Sequence, residues 1–69
     1  MGVIRERFEV EFEDRPAGHG LISRFDDGSF GFGWERPDGQ TVVGVPYASE
    51  QAAGDALMAT VVAWYGGMQ

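Results

Sequence analysis

At 69 residues the chain has room for one hydrophobic core and no second layer of elements, because small domains bury a smaller fraction of their surface. A hydrophobic content of 43% with 13% aromatics excludes a disordered chain, and the absence of cysteine excludes disulfide staples and a thiolate zinc site. Eleven carboxylates against five cations, every one of them Arg, give a formal net charge of −6, a field that repels phosphate backbones and argues against direct binding of DNA or RNA.

From Ile4 to Phe12 the even positions Ile4, Phe8, Val10 and Phe12 are apolar, while Arg5, Arg7, Glu9 and Glu11 occupy the odd ones. That alternation predicts a half-buried strand, with Glu6 on its apolar side near the start. The segment Asp14 to Gly20 is rich in turn formers, Pro16, Gly18 and Gly20 among them, and reads as the first reversal. Leu21 to Phe25 is then a short second strand. Asp26-Asp27-Gly28 between aromatic-flanked runs is a hairpin signal, and the third strand follows over Ser29 to Arg36. There Phe30, Phe32 and Trp34 alternate with Gly31 and Gly33, so one face carries rings and the other nearly bare backbone, a pattern that marks a bulge or a close approach.

Pro37-Asp38-Gly39 supplies the third reversal, and Thr41 to Val45 the fourth strand, closed by Pro46, which lacks a donor. Ser49 is a suitable N-cap for a helix, with Glu50 placing negative charge at the positive end of the dipole. Ala53, Leu57, Val61 and Trp64 recur at spacings of four and three and define the stripe that packs on the sheet; Gly66-Gly67 ends the helix. Gly54, costly in a helix interior, is expected to admit a close approach to the sheet. The whole chain, 1–69, is expected to form one α+β domain, a four-stranded antiparallel meander packed by one C-terminal helix, β-β-β-β-α.

Chemistry is sparse. A nucleophile needs a base within reach, and Ser23, Ser29 and Ser49 with a lone His19 between two glycines form no triad. Asp26 and Asp27 lack the further ligands of a calcium loop, and no glycine-rich phosphate loop joins a strand to a helix. The expectation is a protein that is not an enzyme and carries no metal or cofactor. No basic segment followed by an apolar run opens the chain, and the run from Ala56 to Tyr65 is short of the roughly 20 residues a membrane span needs. A soluble, cytoplasmic protein is expected.

What remains is surface. Glu9, Glu11 and Glu13 are expected to project from one face of the first strand about 6.8 Å apart, extended by Asp14 and joined by Asp26, Asp27, Glu35 and Asp38 from neighbouring elements. Duplex DNA carries roughly one charge per 1.7 Å of axis, so the row alone reaches about a quarter of that density, and mimicry of nucleic acid needs carboxylates from several elements. A second surface is offered by Phe32, Trp34, Trp64 and Tyr65, whose exposure would make an interaction or assembly module, homodimeric in one form.

The run from Gly28 to Trp64, with Phe-x-Phe-x-Trp, Pro-Asp-Gly-Gln, Val-Val-Gly-Val-Pro-Tyr and Ser-Glu-Gln-Ala-Ala, is similar to small domains in which three strands precede a helix, as in phage integrase arm-binding domains and plant ethylene-response DNA-binding domains. Such sheets carry basic residues into a DNA groove. The corresponding strands here offer Arg36, with Arg24 upstream, against Asp26, Asp27, Glu35 and Asp38, so the resemblance is one of layout. In type, a short, acidic, cysteine-free α+β domain also resembles the phage-encoded inhibitors called anti-CRISPR proteins, many of which occupy a basic nucleic-acid-binding surface. That resemblance implies a partner such as a CRISPR effector subunit, no direct nucleic acid, no membrane, and the host cytoplasm as compartment. The resulting expectation is an acidic inhibitor acting through Glu9, Glu11, Glu13, Asp14, Asp26, Asp27, Glu35 and Asp38.

Overall fold

In the computed structural model, which describes residues 4–67, four strands precede one helix: β1 (Ile4–Phe12), β2 (Arg15–Arg24), β3 (Phe30–Glu35), β4 (Thr41–Tyr47) and α1 (Glu50–Gly66). The strands form one antiparallel sheet in the order β1-β2-β3-β4. The helix lies on one face, packed chiefly on β3 and also on β4 and β2. The fold is therefore the α+β meander with a C-terminal helix that the hydrophobic alternation predicts.

The core follows from two periods meeting. Ala53, Leu57 and Val61, one turn apart on α1, are buried against Val10, Ala17, Ile22, Phe32 and Trp34 from alternate strand positions. Full burial of side chains such as Leu57 and Val61 contributes about 1.5–3 kcal/mol each. Two glycines make room for large rings on this face. A Cβ at Gly20 would stand 2.6 Å from the Phe8 ring, and one at Gly44 would run into the ring of Phe32.

Trp34 is fully buried, and its indole Nε1 donates a 2.7 Å hydrogen bond to the backbone carbonyl of Ala17. Its ring meets Trp64 edge-on at 5.5 Å, Trp64 meets Tyr65 edge-on at 4.7 Å, and Tyr65 stacks on Phe12 at 4.5 Å. The last turn of the helix is thus fastened to β1 and β3 by rings, and the Arg36 guanidinium lies 5.0 Å over Trp64. At the other end the Ser49 hydroxyl accepts the Ala52 N–H, as its N-cap position predicts, and Gly67 closes the helix with its N–H on the Ala63 carbonyl.

The structure corrects the reading of Asp14 to Gly20. The reversal is only two residues, Glu13 and Asp14, both with positive φ (51° and 63°), the primed hairpin turn whose twist suits the flanking strands. The following residues belong to β2. Pro16 is tolerated there because β3 reaches only as far as His19, leaving Arg15–Gly18 with β1 alone as neighbour. Gly18, at φ +80°, takes the extra residue of a bulge between the Glu9–His19 and Glu11–Pro16 pairs, and any Cβ there would strike the Glu35 carbonyl. His19 consequently sits in a strand. β4 likewise runs past Pro46 to Tyr47, with its own irregularity where Gly31 faces Val45 and Pro46.

Gly54 does not serve close packing, since a Cβ there meets nothing within 4 Å beyond the helix's own backbone. Gly54→Ala is therefore expected to stabilise the protein by up to about 1 kcal/mol, read as a higher midpoint in urea unfolding. Trp34→Phe is expected to cost about 1–3 kcal/mol, because the buried Ala17 carbonyl loses its donor; an unchanged urea midpoint would show that this hydrogen bond is dispensable.

Candidate binding surface

Because side chains alternate across a strand, turning Phe8, Val10, Ile22, Phe32, Trp34 and Val42 to the helix side of the sheet turns their neighbours outward. The uncovered face is laid out in registered rows across the sheet. One row is Glu9, His19, Glu35 and Thr41, the next Arg7, Leu21, Gly33 and Val43, and the next Arg5, Ser23 and Gly31, with Val45 beyond. In an antiparallel sheet with one solvated face these positions are expected to be polar. Here the middle is apolar: Val43 is 72% and Val45 63% exposed, with Leu21 and Phe25 half-buried beside them.

The alternating glycines of β3 give this region its shape. With no side chain at Gly31 or Gly33, Leu21, Phe25, Val43 and Val45 rim a shallow open trough of about 300 Å³ whose floor is β3 backbone. A Cβ at Gly31 would stand 2.5 Å from Cγ1 of Val45 and 3.1 Å from the Phe25 ring, so the close approach expected of this strand is made by side chains from its neighbours. The aromatic side of β3 faces the other way. Phe32 and Trp34 are buried, and Trp64 and Tyr65 are half-buried against them, which removes the exposed aromatic surface expected from sequence; the rings are the core itself.

The eight carboxylates do not gather into one stripe. Glu9, Glu11, Glu13, Asp14, Glu35 and Asp38 lie toward the end of the sheet that holds the Glu13–Asp14 turn, whereas Asp26 and Asp27 occupy the β2–β3 turn at the opposite end. Several are engaged locally. Glu35 accepts from Arg7 at 2.7 Å across β2, Asp38 pairs with Arg36 and accepts the Gln40 N–H, and Asp27 accepts the Ser29 N–H and hydroxyl. Glu9, Glu11, Glu13 and Asp14 are exposed and, among the described residues, have no ion-pair partner. Glu9 and Glu11 point from the uncovered face, but Glu13 has left the strand for the turn, so the row is two residues long with a two-carboxylate tip.

No protein-family model matches this chain, and comparison with curated proteins and with solved structures finds no match. Among the described residues no group of three or more His, Asp or Glu is placed to hold a metal ion, and no helix is long and apolar enough to cross a membrane. A hollow of about 340 Å³ beside Glu9, Glu11 and His19 is walled by Pro16, Gly18 and Pro37, so the residue that sequence reasoning placed in a loop lies on the uncovered face, between Glu9 and Glu35. The signal for the trough itself was present in the sequence as the outward apolar positions 43 and 45 opposite glycines.

Hydrogen bonds from Ser29 hold the Asp27 carboxyl below the usual aspartate range, and the bond from Arg36 does the same for Asp38, supported by the Gln40 N–H. A carboxyl depressed in the folded state stabilises the fold above its unfolded-state value and loses that contribution as pH falls through its folded value. Stability is therefore expected to decline from about pH 4 downward. In urea titrations across that range, Asp27→Asn combined with Asp38→Asn should flatten the acid limb; an acid limb as steep as that of the parent would show that these two turns do not contribute.

Proposed function

We propose that this chain is a binding protein that docks its uncovered sheet face onto a positively charged protein surface, and that by occupying such a surface it inhibits a complex that would otherwise take up nucleic acid there, as anti-CRISPR proteins do. The observation that carries this reading is the apolar centre of a face that should be polar, Val43 and Val45 above all. Apolar contacts of this kind supply affinity once water is excluded, while the net charge of −6 draws a basic partner in and disfavours polyanions. Glu9 and Glu11, at one end of the same face, orient the encounter.

The reading departs from a pure charge mimic. With Asp26 and Asp27 at the far end and Glu35 and Asp38 paired to arginines, the carboxylates supply steering and the trough supplies the contact. The test is displacement of a labelled duplex from a panel of basic nucleic-acid-binding complexes, CRISPR effectors included. The chain should compete with an affinity that falls as salt rises, and Val43→Lys with Val45→Lys, at two exposed positions and with circular dichroism checking the fold, should weaken competition tenfold or more. Equal competition by parent and variant would remove the sheet face from the mechanism, and no displacement from any complex would remove the inhibitor role.

A further inference from the structure

We propose that two copies of this chain join through their β1 edges into one continuous eight-stranded antiparallel sheet. The two sheet edges differ in kind. β4 is interrupted by Pro46, which has no N–H to donate, and by its irregular pairing beside it. β1 carries no proline or glycine over its nine residues, and the extra residue of the bulge beside it lies on β2. Its outer edge therefore offers backbone N–H and C=O groups that an antiparallel strand would pair. Among the described residues the helix packs on β2, β3 and β4 and reaches β1 at its far end, where Tyr65 stacks on Phe12; the middle of the edge is open, and Phe8 is left 39% exposed.

The side chains of β1 select both the occupant and the register. A two-fold axis normal to the sheet keeps each face on its own side, so only registers centred on a residue are allowed. Centred on Phe8, the pairing sets Arg7 opposite Glu9 of the other copy and Arg5 opposite Glu11, twice each by symmetry, all on the uncovered face. Centring on Arg7 would set arginine against arginine, and centring on Glu9 glutamate against glutamate. Opposite charges directly across an antiparallel pair are favourable and like charges are not, so this strand is complementary to itself in one register. On the covered face the two Phe8 rings meet in the gap between the two helices, which removes the exposed apolar ring from water. Arg7 keeps its bond to Glu35, since a guanidinium has five donors and needs only one more for Glu9 of the other copy.

The seam lies at the opposite edge from Val43 and Val45 and shares only Glu9 and Glu11 with the proposed docking face; its test reads self-association and not competition, so the two proposals fail separately. In sedimentation equilibrium the full chain is expected to show a dimer weakened by salt. Arg7→Glu alone and Glu9→Arg alone each create two like-charge contacts and should raise the dissociation constant about tenfold or more. An equal mixture of the two variants should restore the dimer as a heterodimer, because every cross-strand pair is again of opposite sign. The pair Arg5→Glu and Glu11→Arg should behave in the same way, and circular dichroism checks that each variant is folded. A parent chain that stays monomeric at millimolar concentration, or a dimer that ignores single reversals and gains nothing on mixing, overturns the proposal.

Discussion

The structure depends on the strict alternation of ring and glycine along β3. In a sheet covered by a helix on one face only, bulk is buried on that face, and Phe30, Phe32 and Trp34 alternating with Gly31 and Gly33 take that division to its limit. The rings supply the centre of the core, where Trp34 is fully enclosed and hydrogen-bonded to the Ala17 carbonyl. That bond ties β3 to β2 at the bulge, and the edge-on contact with Trp64 ties both to the last turn of the helix. A 69-residue chain without cysteine has few other means of holding its elements together.

The same alternation creates the surface. Glycines on the outward side let Val45 and Phe25 lean over β3 from either side, so a face that would ordinarily be a mosaic of polar side chains is a shallow apolar trough between rows of charge. Apolar and charged side chains are thereby separated in space, the apolar ones at β3 and β4 and the charged ones along β1. A fold with one helix has only one face to cover, and the uncovered one is what this protein presents.

The edges of the sheet carry a similar division. Unpaired strand edges invite association, and proteins blunt them with proline, irregular pairing or charge. β4 uses the first two. β1 uses charge, in an order on its uncovered face, two arginines followed by two glutamates, that is complementary to its own reversed copy. Charge patterning on an edge strand is thus a specificity device as much as a solubility device.

Element types were legible in the chain because hydrophobic periods are local: alternation over Ile4 to Phe12, ring and glycine over Phe30 to Glu35, spacings of four and three from Ala53 to Trp64, and the Ser49 cap all reported the structure that forms. The start of β2 was not, because Pro16, Gly18 and Gly20 are turn formers by intrinsic preference, and only the bulge beside β1 and the early end of β3 let them stay in a strand. Nor was the fate of the carboxylates. Sequence determined their number and sign, but which end of the sheet each one reaches, and which find Arg7, Arg36 or Ser29, is set by register, and register is decided only when strands distant along the chain pair and a helix closes over one side of them.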